Sequence, residues 1–71
     1  MLEEFKRIVQ ELRAKGFKDS DVMGITHVTE SNLYNVDSGY GHVVGVTILR
    51  RAVANYMEFK RRAKLFMKEE K

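Results

Sequence analysis

The spacing of apolar residues between positions 17 and 39 is the strongest constraint on the fold of this chain. When two short helices are joined by a tight turn, the first buries two adjacent residues, the turn buries one, and the second buries two at a spacing of three. The sequence supplies this pattern as Val22 and Met23, Val28, then Leu33 and Val36. We therefore predict two packed helices within about residues 19–37.

Local signals predict where these two helices begin. Asp19 or Ser20 is expected to cap the first helix, because a carboxylate or hydroxyl oxygen accepts hydrogen bonds from the free N–H groups of a first turn. Thr29 is expected to cap the second helix for the same reason, and Glu30 suits the positive end of its dipole. The residues DSGYGHVVG, positions 37–45, contain three glycines and predict a loop with room for one short turn.

Helical periodicity also precedes and follows this stretch. Apolar residues recur at steps of three and four from Leu2 to Leu12, and Gly16 is placed to end that helix in a left-handed conformation. A last helix is predicted over about residues 46–70, with an apolar stripe at heptad spacing. We expect a single all-α domain spanning residues 1–71, a compact bundle of four to five helices with a long C-terminal helix. Part of the C-terminal stripe is predicted to form a homodimer seam, made of Tyr56, Phe59, Ala63, Phe66 and Met67; the alternative is that it packs within its own chain.

Composition narrows the class of protein further. The chain has no Cys, its longest apolar run is four residues, and it opens with acidic rather than basic residues, so we expect a cytoplasmic protein without disulfides or a membrane span. The two histidines are 15 residues apart, and the glycines match no phosphate-binding motif. We therefore expect no catalytic activity, no metal and no cofactor.

Charge is distributed unevenly along the chain. Residues 1–18 carry five basic and three acidic groups, residues 19–49 carry four acidic and no basic groups, and residues 50–71 carry eight basic and three acidic groups. The net charge of +3 is therefore the sum of +2, −4 and +5. An anionic partner is expected to meet its cations at the two ends of the chain and not in the middle.

The segment VTESNLYNVDSG, residues 28–39, resembles the lambda-repressor/Cro-like helix-turn-helix family of small phage and plasmid regulators. The resemblance extends over about residues 2–56 and implies a repressor-like transcriptional regulator that binds double-stranded DNA, as a homodimer on an inverted repeat. Three positions depart from the family pattern. His27 stands where Gly is usual and must tolerate a positive φ, Met23 replaces a small Ala, and Lys18 replaces a Ser or Thr cap.

The resemblance implies a set of contact residues in this chain. Its second motif helix would enter the major groove, and its polar side chains would face base edges: Thr29, Ser31, Asn32, Tyr34 and Asn35. That helix carries no Arg or Lys, so the groups expected to face phosphates come from its flanks: Lys18, Tyr40, His42, Arg50 and Arg51. Each residue also has a plainer interpretation, with the Asn and Arg side chains simply solvated and Tyr34 packed under the last helix.

Two alternative functions fit parts of the same pattern. A helix-turn-helix fold can bind protein instead of DNA, as an antirepressor or a modulator of the transcription machinery, and the acidic central region would favour a basic partner. The basic C-terminal helix could also bind a membrane surface or single-stranded RNA. The absence of Trp and the presence of Glu58, Glu69 and Glu70 weaken that interpretation.

Overall fold

The structure, a computed structural model, describes the backbone of residues 1–69 and the side chains of residues 1–63. Within residues 1–69 the chain forms four α-helices, one 3₁₀ turn and no strand. The elements in chain order are α1 (Leu2–Ala14), α2 (Asp19–Thr26), α3 (Glu30–Asp37), the 3₁₀ turn (Gly41–Val43) and α4 (Val46–Glu69). The predicted all-α bundle with a long C-terminal helix is confirmed.

The core forms where the apolar faces of the helices meet. The α1 stripe is buried as predicted from Phe5 to Leu12, while Leu2 is partly buried. The stripe packs with Val22 of α2, the turn residue Val28, and the inward faces of α3 and α4. α4 packs against both α1 and α2, while α3 packs mainly against the 3₁₀ turn. Among the described residues, the largest side chains that are fully buried belong to Phe5, Leu12, Val22 and Thr26. The Thr26 hydroxyl is satisfied because it donates to the Val22 carbonyl at 2.7 Å.

At the junction between α1 and α2, the end of α1 agrees with the prediction from sequence, whereas the start of α2 does not. Gly16 adopts φ 96°, and the Phe17 N–H donates to the Leu12 carbonyl at 3.1 Å, which closes the end of α1. The prediction that Asp19 or Ser20 caps α2 is wrong. Lys18 is the N-cap, and the carboxylate of Asp21 accepts a hydrogen bond from the Lys18 N–H at 3.0 Å. A third-position acid performs the capping here because the N-cap side chain is an ammonium, which has no acceptor.

Residues 27–29 form the turn between α2 and α3. His27 adopts the left-handed conformation with φ 64° and ψ 27°, which confirms that this position requires a positive φ. The predicted cap at Thr29 is also confirmed, since its hydroxyl oxygen accepts from the Asn32 N–H at 3.1 Å. These two residues fix the direction in which α3 leaves α2.

α4 packs along its own chain with the face that was predicted as a dimer seam. Tyr56 is only 4% exposed, and Phe59 is half-buried with its ring edge-on to Phe17 at a centroid distance of 5.9 Å. Ala63 is half-buried, while the side chains of Phe66 and Met67 lie outside the described residues. The assignment of Tyr56 to an exposed seam is therefore corrected. A heptad stripe and an intrachain core face have nearly the same period, so spacing alone does not separate them. Among the described helices, none is both long and apolar enough to cross a bilayer.

Candidate functional site

One side of α3 presents uncommitted polar groups to solvent. Leu33 and Val36 point into the core, and at about 100° per residue this turns Ser31, Tyr34 and Asn35 outward. Tyr34 is 68% exposed, Ser31 is exposed and Asn35 is half-buried. The predicted base-contacting residues on α3 thus largely share one accessible face.

The remaining predicted base-contacting residues are placed less favourably. Asn32 is half-buried and lies at the edge of the exposed face, close to the angular position of Val36. The hydroxyl oxygen of Thr29 already accepts the capping hydrogen bond. By contrast, among the described residues no intrachain hydrogen bond engages the side chains of Ser31, Asn32, Tyr34 or Asn35. These four side chains are free to bind a ligand.

The acidic residues of α3 lie on the side of the helix next to Tyr34, away from Ser31 and Asn35. Glu30 and Asp37 line a groove between α2 and α3, opposite Asp19, and Ser31 and Asn35 are about 100° or more around the helix from them. The groove, here called the α2–α3 groove, has a volume of about 380 Å³. Its lining residues are Asp19, Ser20, Met23, Glu30, Leu33, Tyr34 and Asp37.

Arg13, at the end of α1, binds two of these acids at once. Its guanidinium donates to both oxygens of Asp37 at 3.0 and 2.8 Å, and its Nε donates to Asp19 at 2.9 Å. The hydrogen bonds to Asp37, followed by those to Asp19, raise the pKa of Arg13. Arg13 therefore offsets part of the negative charge beside α3. It was not predicted as part of the site because no local spacing rule relates it to partners six and 24 residues away.

Cations lie before α2 and near the beginning of α4. Lys18 is exposed immediately before α2, and Arg50 and Arg51 are exposed beside the buried residues Leu49 and Ala52. These three cations make no ion pair with the described residues. They remain available for an anionic ligand.

The loop before α4 supplies neutral donors. Tyr40 is 59% exposed and His42 is exposed, with their ring centroids 6.1 Å apart. The Tyr40 N–H donates to the Asn35 carbonyl at 2.7 Å, so the loop is held against the end of α3. The predicted phosphate-contacting residues therefore lie in three places: before α2, in the loop after α3, and on the first turns of α4. A backbone hydrogen bond joins the loop directly to α3.

A second contact missed at the level of sequence fixes α4 against the turn. The Asn55 side-chain amide donates to the Thr26 carbonyl at 3.2 Å, satisfying a backbone acceptor at the end of α2. Among the described residues, no group of three potential metal ligands converges. Comparisons of the chain with protein-family models, curated proteins and solved structures give no match.

Proposed function

We propose that this protein is a cytoplasmic, sequence-specific DNA-binding regulator of the repressor type found in phages and plasmids. The observation that carries the proposal is the outward face of α3, where the side chains of Ser31, Tyr34 and Asn35 form no hydrogen bond with any residue whose side chain the structure describes. The acids of the same helix lie to one side, and Asp37 is bound by Arg13. An α-helix with such a face fits the width of the major groove.

The chemistry of these side chains suits base edges. Asn35 can donate to and accept from adenine, and the hydroxyls of Ser31 and Tyr34 can serve either as donors or as acceptors. Because α3 lacks cations, phosphate contacts fall to Lys18, Arg50 and Arg51, with Tyr40 and His42 as neutral donors. Base edges then supply specificity, and the flanking cations supply most of the affinity.

Two copies acting together are part of the proposal. α3 has eight residues, so one copy reads only a short stretch of sequence. Two copies related by a two-fold axis read an inverted repeat, with half-sites about 34 Å or one helical turn apart. This arrangement raises specificity without enlarging the single domain.

The test begins with selection from a randomised duplex library at about 50 mM salt, followed by gel shifts on the enriched duplex. We expect an inverted repeat, bound by the wild type with an affinity that falls steeply with salt. Arg50→Ala should weaken binding to every duplex about equally, while the matched control Arg7→Ala, an exposed cation on α1, should leave it unchanged. Failure to enrich any duplex, or a salt slope near zero, would overturn the proposal.

The α2–α3 groove favours a second candidate function, a protein-interaction module that acts on the transcription machinery without binding DNA. Its three acids and Arg13 sum to a charge of −2, which would attract a basic partner. Under this alternative no duplex is enriched, and substitution of Glu30 rather than Arg50 abolishes partner binding. The two candidates therefore make opposite predictions for the same two positions.

A further inference from the structure

The α2–α3 groove and the end of α4 carry opposite charges. Three carboxylates line the groove, and Arg13 is the one described cation hydrogen-bonded to them, which leaves −2. Residues 60–68, here called the C-terminal segment, contain five basic and no acidic residues, interleaved with Leu65, Phe66 and Met67. Opposite charges of this size on two surfaces steer them together and fix their register.

The groove also offers an apolar surface to a docked helix. Met23 lines it from α2 and is half-buried, while Leu33 and the strongly exposed Tyr34 line it from α3. From Glu30 to Asp37 it spans about two helical turns, or about 10 Å. The flexible thioether of Met23 can adapt to an incoming side chain. An amphipathic helix with cationic and apolar residues is the ligand that such a groove accepts.

The C-terminal segment follows the described part of α4 that packs on the core. Among residues 1–63, whose side chains the structure describes, Phe59 is the last residue of α4 placed against the buried cluster. α4 is continuous to Glu69, and its 24 residues span about 36 Å of a molecule 43 Å long. A continuous helix cannot turn back into the groove of its own chain without breaking. The groove that the segment can reach is that of another copy.

Within the segment, the described cations retain excess charge. Arg61 and Arg62 share a single acid, Glu58, which lowers the pKa of Glu58 chiefly through its hydrogen bonds with Arg61. Lys60 lies over the ring of Tyr56 at 5.3 Å and has no carboxylate partner among the described residues. The three cations therefore exceed by two charges the one described acid that forms ion pairs among them, which equals in size the charge of the groove. After the larger effect of the Tyr56 hydroxyl, Lys60 in addition helps to lower the pKa of Glu11.

We propose that the C-terminal segment of one copy docks into the α2–α3 groove of a second copy, reciprocally, and so covers Tyr34. The pair is closed, since each copy supplies one segment and one groove. Its consequence for regulation rests on the proposed function: a copy whose Tyr34 is covered cannot insert α3 into DNA. The exchanged pair is then the DNA-free form, and duplex binding releases the segment.

The first test measures mass by light scattering and sedimentation across a protein concentration series, without DNA. At about 50 mM salt the wild type should form dimers, and at about 500 mM it should dissociate because the contact is largely electrostatic. Glu30→Lys, in the groove, and the double change Lys64→Glu with Lys68→Glu, in the segment, should each weaken the dimer at least tenfold. Glu4→Lys, a matched charge reversal on an exposed first-turn acid of α1, should leave it intact.

The decisive measurement mixes the groove variant with the segment variant. In the mixed pair, the lysine introduced at position 30 in the groove of one copy faces the glutamates introduced at positions 64 and 68 in the segment of the other, so this contact has opposite charges in reversed order. The second contact joins a wild-type groove to a wild-type segment. A heterodimer should therefore form, although neither variant forms a dimer alone. A monomer at every salt concentration overturns the proposal, and so does a dimer that is insensitive to both sets of charge reversals. Rescue on mixing also excludes misfolding as the reason for the loss.

A separate measurement distinguishes this inference from the proposed function. Adding the enriched duplex to the dimer should dissociate the exchanged pair, observed as loss of proximity between a fluorophore on Gly24→Cys in one copy and a fluorophore on the C-terminus of the other. Gly24 is an exposed position of α2 with open space around it, and it neither lines the groove nor belongs to the proposed DNA contacts. If no duplex is enriched but the charge-reversed mixture dimerises, the docking stands and DNA binding fails. If duplex binding leaves the fluorophores in proximity, the regulatory consequence is wrong.

Discussion

Arg13 and Asp37 are joined by two parallel hydrogen bonds of 3.0 and 2.8 Å, although they are 24 residues apart in sequence. The same guanidinium reaches Asp19, so one side chain connects the end of α1 with the start of α2 and the end of α3. The bidentate geometry makes this contact stronger than an ordinary surface ion pair. It connects α3 to α1 and neutralises part of the negative charge in the α2–α3 groove, beside the proposed DNA face.

We predict that Arg13→Ala lowers the free energy of unfolding by about 1–2 kcal/mol. The Arg13 side chain is 35% exposed, so solvent screening keeps the effect in this modest range. Urea denaturation measures it. The control is Lys15→Ala, whose pair with Glu11 is long at 3.7 Å and exposed, and which should cost less than about 0.5 kcal/mol. Equal losses for the two variants would show that the Arg13 network has no special role.

Tyr56 gives the fold a weakness at alkaline pH. Its hydroxyl is buried and has no partner at hydrogen-bonding geometry among the described residues. Burial raises the pKa of Tyr56 to about 12, and the nearby Glu11 adds to the shift. In the unfolded chain the Tyr56 hydroxyl ionises near pH 10. Between pH 10 and 12 the unfolded chain therefore binds fewer protons at this residue than the folded chain does. Stability therefore falls as the pH rises through this window, by about 2 kcal/mol at pH 12.

Tyr56→Phe should remove this pH dependence. At pH 7 the variant should be within about 1 kcal/mol of the wild type, because the hydroxyl that it removes is buried near the Glu11 carboxylate without reaching hydrogen-bonding geometry. Urea denaturation at pH 7, 10 and 11 makes the comparison. Parallel stability curves for the two proteins above pH 10 would contradict the assignment of this loss to Tyr56.

His27 sets the turn between α2 and α3 through its backbone. With φ at 64°, replacement by Gly should stabilise the fold by about 0.5–1 kcal/mol, and replacement by Val should destabilise it by more than about 1 kcal/mol. Asn, which tolerates this conformation, should be close to neutral. Thermal melts of the three variants test the order. If Val were as stable as Gly, the left-handed turn would be wrong.

Much of the fold follows from local rules that act over a few residues. Gly16, His27 and Thr29 were predicted to end, turn and begin helices, and each does so because backbone conformation and capping depend on immediate neighbours. The apolar stripe of α1 was predicted for a similar reason, since a helix shows its period within three turns. The cap of α2 was not predicted because the capping group is the carboxylate of Asp21, one turn into the helix, which accepts a hydrogen bond from the N–H of the N-cap residue Lys18.

The remaining contacts depend on how helices cross, which the sequence does not specify locally. The hydrogen bond from Asn55 to the Thr26 carbonyl spans 29 residues, and its amide has no distinctive pattern around it. Tyr56 was placed on a dimer seam because the core face of α4 repeats at nearly heptad spacing. To decide whether this face of α4 is a core face or a dimer seam, one must know which helices of the same chain already cover it.

The orientation of α3 makes a graded prediction for its two asparagines. Asn35 lies on the outward face beside Ser31. Asn32 lies at the edge next to the core, and its backbone N–H donates to the Thr29 hydroxyl oxygen. Asn35→Ala should therefore cost about 1–3 kcal/mol at one base pair of the enriched duplex and relax the preference there, while Asn32→Ala should have a smaller effect. Competition gel shifts against single-base variants of the duplex measure both. Each change leaves the flanking cations intact, so neither should alter the slope of affinity against salt. If Asn32→Ala reduced the base preference more than Asn35→Ala, α3 would enter the major groove by a different face.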